Sequence, residues 1–398
     1  MKPNEAYERL CGGDWSAARA LKPFSGEACA FLSDLSRVLM ETPEARAYAD
    51  VVTFAFFCRR SELERARARY GEETQRRLGR GMAFHIAPGN VAVNFAYSLA
   101  ASLLAGNVSV VKAPSRDFAQ TRLLCAAMDA LLDGAHGALK NHVNVIRYPR
   151  ERQEVTQALS QACDVRVVWG GDATVDAVRR AALRPQAFDV TFPDRYSLLV
   201  ARAQAVLEMD ENQVAKLTQA FYNDTYLTDQ NACSSPRLVY WLGEGEALQA
   251  ARTRFWEAVR GYAKARYPLE AVTAVDKHTA ACRAAIELGA AVEPMPDNVV
   301  TRVLAPRLTP QAQTHRCPGG FFVEYADTSL DALAAVCDRR CQTLTYLGLD
   351  AQTLSDWVVK NGLGGVDRIV PVGHALDFSL TWDGYDLIRT LSREIVRF

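Results

Sequence analysis

The sequence predicts an α/β protein of two doubly wound domains preceded by a helical region. Short apolar stretches without polar alternation recur along the chain, amphipathic helical stretches separate them, and one polar segment, LTDQNACSSP, interrupts the series before it restarts. Strands covered on both faces read as continuous apolar runs, whereas strands with one wet face alternate. A length of 398 residues exceeds one average domain and allows a large core.

Composition narrows the class. With 49% hydrophobic and 23% charged residues, the chain is of ordinary globular type. Lys+Arg and Asp+Glu both total 46, so the net charge is zero, which speaks against a nucleic-acid or membrane-surface protein. Only eight of the 46 cations are lysines, so a lysine in an apolar setting stands out. The ten cysteines include no CxxC pair, and the start, MKPNEAYERL, lacks the apolar core of a secretory signal. Reduced thiols in a cytoplasm are therefore expected. No metal site is expected either, because the six histidines are scattered and Cys337 with Cys341 is an isolated i, i+4 pair.

From Ile86 to Val111 the chain runs 26 residues without a formal charge. It is not read as a membrane span. Pro88, Gly89, Asn90, Gly106 and Asn107 divide it, and a helix between them would be about 22 Å long against a bilayer core of about 30 Å. GMAFHIA is predicted as a strand, then a buried helix, then NVSVVK as a strand and Arg116 to Leu132 as a helix. HVNVIRY, RERQEVTQALSQA, DVRVVWGG and DATVDAVRRAAL continue the alternation. A doubly wound domain is thus expected from about Gly81 to Arg202, with a helix from Glu208 to Asn223 behind it. After the polar break come RLVYWLG, helices at 244–266 and 278–288, strands NVVTRVL, GGFFVEY and QTLTYLG, and a helix at 351–361. Residues 1–80 are expected to be mainly helical, with a solvated Arg/Glu face at 59–80. The expected division is 1–228 (helical region plus cofactor domain), 229–373 (second domain), and 374–398, a segment that returns to the first domain or builds an interface.

Open parallel sheets bind ligands beyond the carboxyl ends of their strands. The first such turn, HIAPGN, contains no GxGxxG. Asn90 there either caps the next helix or donates into a cleft. Lys112 ends the second strand, where an uncompensated ammonium is costly; it either meets a nucleotide hydroxyl or phosphate or snorkels to water. Gly170 and Gly171 end a third strand, where they form an ordinary turn or admit a pyrophosphate to the next helix. Cys233 lies in the polar break at the domain junction, a place where substrates meet catalytic groups, and a thiolate there can attack a carbonyl carbon. His85 is read as a packed side chain, with proton donor as the alternative.

FHIAPGNVAVNFAYSLAASLLAGNVSVVKAPSRD together with YNDTYLTDQNACSSPRLVY resembles the LuxC-type acyl-CoA reductases, the reductase components of bacterial fatty acid reductases. The resemblance runs from about Gly81 to WDGYDLIRTLSR. It implies an aldehyde dehydrogenase-like fold that binds NAD(P) without GxGxxG. Carried over, Cys233 matches the nucleophile and Asn90 the side chain that shares the oxyanion hole. Lys112 matches the ribose contact and Gly170, with Gly171, the glycine turn. Ser115 stands where NAD-preferring relatives often carry Glu, and with Arg116 beside it a 2′-phosphate is tolerated, so NADPH is the expected cofactor. The Glu with which hydrolytic aldehyde dehydrogenases activate the deacylating water is missing: the segment reads DVTFPDRYSLL, with Asp194 the nearest carboxylate. This favours reduction of an acyl-CoA or acyl-carrier thioester, through an acyl-cysteine, over oxidation of a free aldehyde. A non-catalytic acyl-binding subunit is the third reading. The resemblance also implies a homo-oligomer and an acyl-protein synthetase as acyl-donating partner.

Overall fold

A computed structural model describes residues 7–397. Six strands form the first sheet: β1 (Glu8–Cys11), β2 (Met82–Ile86), β3 (Val108–Lys112), β4 (Val143–Arg147), β5 (Val165–Trp169) and β6 (Phe188–Phe192). Their order is β1-β4-β3-β2-β5-β6, parallel except for the edge strand β1, which runs antiparallel to β4. The helix Asn94–Leu104 between β2 and β3 is buried almost all round, as an uncharged sequence requires. The sharp turn after it needs Gly106. Its φ is +91°, and a Cβ would fall 2.0 Å from the Leu21 carbonyl oxygen.

Seven strands form the second sheet: β7 (Tyr196–Arg202), β8 (Pro236–Leu242), β9 (Ala291–Glu293), β10 (Thr301–Leu304), β11 (Phe321–Asp327), β12 (Cys341–Leu347) and β13 (Arg368–Pro371). The order is β9-β10-β11-β8-β7-β12-β13, with β9 the one antiparallel member. Helices Glu211–Thr225 and Gly245–Lys264 cover one face through Phe221, Phe255 and Trp256, whose rings meet edge to face. A carboxylate lies inside this unit. Glu324 on β11 is fully buried and accepts from the indole N–H groups of Trp241 (2.7 Å) and Trp256 (2.8 Å), from Arg252 (3.2 Å) and from Arg302 (3.0 Å).

Two compact units result. One is the chain up to Pro193 together with the stretch from Phe378; the other is Asp194–Asp377. This differs from the expected division at 228/229. The physical reason is β7, which hydrogen-bonds between β8 and β12 and carries the following helices with it. The strand at Phe188–Phe192, not foreseen in the sequence, closes the first sheet in its place. The C-terminal stretch belongs to the first unit: Ser392–Glu394 pairs with Arg77–Gly79, and Asn107 donates to the Leu391 carbonyl at 2.9 Å. The N-terminal region is less helical than expected, since it also supplies β1 and the strand Arg77–Gly79. Among the described residues, no helix is long and apolar enough to cross a membrane.

Candidate active site

In the first unit, β2, β3 and β5 are neighbours, and their register places Ile86 opposite both Lys112 and Val168. The turns that carry Asn90, Lys112 to Arg116, and Gly170 with Gly171 therefore leave the same edge of the sheet. Asn90 is exposed in a turn, and the following helix starts only at Asn94, with Val93 at its N-cap and no side-chain cap bond. The capping alternative is thus overturned. The Lys112 ammonium lies 4.9 Å from the centre of the Tyr148 ring. Burial lowers its pKa, and Glu151 partly opposes that shift.

Beyond β3 and β4 opens a cleft of about 600 Å³, of the size of small-molecule sites. Ser115, Arg147, Tyr148, Arg150, Glu151 and Arg152 line it. Arg116 does not; it is exposed, its guanidinium 5.1 Å from the Phe118 ring. The cations at the cleft are thus arginines of the β4 turn, which the sequence reading passed over. Gly170 packs closely, since a Cβ would meet Thr174 at 3.0 Å, whereas Gly171 borders open space as the N-cap of the helix Asp172–Arg179. His85 is fully buried and fixed by the Ser98 hydroxyl (2.7 Å), which also accepts from the Trp169 indole (2.9 Å). Burial pushes the imidazole pKa down to about 3, so the ring is neutral at ordinary pH and a poor general acid, in keeping with a packed side chain.

In the second unit, Cys233 sits in the loop that enters β8, at the amino ends of the strands. All ten cysteines are thiols; seven are buried, Cys282 is exposed on a helix, and Cys29 and Cys233 are half-buried. The loop is held tightly. Asp229 and Gln230 adopt left-handed φ values of 50° and 59°. The buried Gln230 carboxamide donates to the carbonyls of Pro236 (3.0 Å) and Phe321 (3.1 Å) and accepts from the N–H groups of Gly320 (3.0 Å) and Phe321 (3.2 Å). The Cys233 carbonyl accepts from the Ser197 hydroxyl at 2.7 Å, and that hydroxyl accepts from Thr343 N–H at 3.1 Å.

Two arginines interact electrostatically with this thiol. Arg237, the second residue of β8, is only 9% exposed and donates to the Gln230 carbonyl, while its buried Nε has no hydrogen-bond partner. Arg316, before β11, grips Asp194 through both carboxylate oxygens at 2.8 and 2.6 Å. Burial holds Arg237 below its usual pKa, and Asp194 holds Arg316 above its own. For Arg237 the sequence did offer a signal, a charged residue heading the apolar run RLVYWL. For Arg316 there was none, because only the folded sheet brings it to the loop.

The sequence profile described as Acyl-CoA reductase (LuxC) matches residues 14–291. The long-chain acyl-protein thioester reductase of Aliivibrio fischeri is 27% identical over 172 residues, which are 42% of this chain and 33% of that protein. The match therefore spans about a third of that relative's length. Solved structures share the fold. Proline utilization A of Bradyrhizobium japonicum superposes with a TM-score of 0.64 at 16% identity, covering 94% of this chain and 41% of that one. Aldehyde dehydrogenase 21 of Physcomitrella patens gives 0.62 at 12% identity, covering 88% and 78%, and the 1-pyrroline-5-carboxylate dehydrogenase of Thermus thermophilus 0.60 at 14%, covering 94% and 81%. With a match across more than half of its length, a chain of aldehyde dehydrogenase-like fold thus belongs to the LuxC acyl-CoA reductase family.

Proposed function

We propose that this protein reduces an acyl thioester, a fatty acyl-CoA or acyl-carrier thioester, to the aldehyde through an acyl group carried on Cys233. The observation that carries the reading is the placement of Cys233: a half-buried thiol in a loop fixed by Gln230 and Ser197, in a chain of this family. The Cys233 thiolate attacks the thioester carbonyl, the C–S bond to the donor breaks, and the donor thiol leaves. Asn90 and the Cys233 N–H are the groups assigned to the oxyanion. NADPH, when bound, supplies the hydride that converts the acyl group to the aldehyde level. The resulting thiohemiacetal then expels the Cys233 thiolate and releases aldehyde.

The cofactor reading rests on the cleft beyond β3 and β4, whose arginines suit a phosphorylated nucleotide. Lys112 and Ser115 are assigned to the ribose and Gly170, with Gly171, to the pyrophosphate turn; Arg116 is the outlying member of this set. Oxidation of a free aldehyde is the weaker reading, because Asp194 gives both oxygens to Arg316 and so is poorly placed to take a proton from water.

Incubation with a radiolabelled fatty acyl-CoA in the absence of reductant tests the covalent step. Label is expected on the peptide that contains Cys233, and added NADPH should discharge it as aldehyde. Label that never reaches this peptide sinks the reading. A second test addresses the cofactor: Ser115→Glu should lower the preference for NADPH over NADH at least about tenfold, by repulsion of the 2′-phosphate. An unchanged preference would place that phosphate elsewhere.

A further inference from the structure

The helix Ala271–Leu288 in the second unit carries two uncharged stripes. The inner one is covered: Ala281 and Ala284 are buried, and the helix packs against β9 and β10. On the outer face Val272, Val275, Thr279, Cys282 and Ile286 are all exposed, the valines at 60% and 65% and the isoleucine at 83%. Their spacing of three, four, three and four residues is that of the a and d positions of a heptad, the seam by which one helix packs along another. Single exposed apolar side chains are ordinary. An unbroken run of five seam positions without a charge, over about 21 Å of one helix, marks an interaction surface.

The charges beside the seam identify what covers it. Asp276 and Arg283 occupy the two e positions that the stripe defines. When two copies of this helix run antiparallel, position e of one lies across the seam from position e of the other. With Val275 layered on Ile286 of the second copy, and Thr279 on Cys282, Asp276 comes opposite Arg283, and two-fold symmetry repeats the pair. A slide of one heptad either way sets Asp276 against Asp276 or Arg283 against Arg283. A parallel pair sets Arg283 beside His278 and gives Asp276 only Ala271. One arrangement alone therefore matches apolar with apolar and acid with base. Arg283 reaches Glu287 of its own helix through Nε, at 3.4 Å, and its two terminal nitrogens suit a second carboxylate. We propose that this face is a self-association surface, which takes the same helix of a second copy of this chain, antiparallel, with Asp276 and Arg283 paired across the seam. The inference is independent of the reaction proposed above, since none of these residues is assigned to it. One helix pair covers less than the about 1,200–2,000 Å² of a standard interface, so the dimer is expected to dissociate on dilution.

Sedimentation velocity of the full chain over a wide range of concentration should show a rise from 43.9 kDa to twice that mass. A chain that stays monomeric throughout overturns the proposal. Ile286→Asp should weaken the dimer about a hundredfold, because each dimer loses two buried isoleucines, and at so exposed a position it should leave the circular dichroism unchanged. Asp276→Arg should weaken it at least about tenfold by setting like charges across the seam. The double variant Asp276→Arg/Arg283→Asp, which exchanges the two, should return it to within about threefold of the wild type. A short bismaleimide should also join Cys282 to Cys282 of the second copy, since the axes of paired helices lie about 8–10 Å apart, and mass spectrometry of the joined peptide locates the link. An assembly that Ile286→Asp leaves unchanged belongs to another surface and overturns the proposal. A double variant no better than Asp276→Arg alone overturns the antiparallel pairing on which it stands.

Discussion

Cys233→Ser is expected to retain the fold and lose reductase activity by about a thousandfold or more. The substitution changes one atom in a half-buried side chain, and the frame holds this residue through its backbone carbonyl, which Ser197 continues to grip. Stability should therefore change by no more than about 0.5 kcal/mol, the usual range for substitutions outside a packed core. The chemistry suffers at two points. An alcohol is a far weaker acid than a thiol, so it stays un-ionised at neutral pH and is the poorer nucleophile. Any acyl-serine that did form would be an oxyester, whose carbonyl accepts hydride less readily than that of a thioester. Steady-state NADPH oxidation with acyl-CoA, beside urea denaturation of the same sample, measures both. Activity within tenfold of the wild type would show that another residue carries the acyl group.

Glu324→Ala should give the largest loss of stability, about 3–5 kcal/mol, the range for breaking a buried ionic network by removing one partner. Glu324 is fully buried and shared by two arginines and two indole N–H groups. Its removal strands two guanidinium charges with Glu293 as their other listener, at 3.9 and 3.5 Å from Arg252 and Arg302, and leaves the indoles of Trp241 and Trp256 without their acceptor. Against a total of about 5–15 kcal/mol for a typical domain, this is a large fraction. Glu324→Gln should fall between, since the amide keeps one acceptor but points an N–H₂ group at a set of donors. Urea unfolding followed by circular dichroism is the measurement, and a loss under about 1 kcal/mol would show that the network is not holding the second unit together.

The first sheet was largely legible in the sequence because its central strands are uncharged or nearly so and are bounded by turn residues: GMAFHIA before PGN, and NVSVVK after AGN, are found where expected. What the sequence concealed has two physical sources. Short edge strands such as Glu8–Cys11 carry charged residues and owe their existence to pairing with β4, a partner distant along the chain. The passage from one sheet to the other at Pro193 has no break of the kind seen at LTDQNACSSP, so Tyr196–Arg202 reads as another strand of the first series although it hydrogen-bonds in the second. The site divides in the same way. Cys233 could be singled out by its polar neighbourhood, while Arg316 and the arginines of the β4 turn are surface-like residues in the sequence and acquire meaning only from what the fold sets beside them.

The carboxamide of Gln230 has a bearing on how the enzyme should fail under heat. Pro236 opens β8 without an N–H to give to its neighbour, and the Gln230 side chain fills that rung by donating to Phe321 and accepting from it. The loop of the thiol is in this way stitched into the sheet as though it were one of its strands. A loop so tied has no melting of its own, so thermal inactivation and loss of the second unit's secondary structure should follow a single curve, with no warm interval in which a folded protein is already idle.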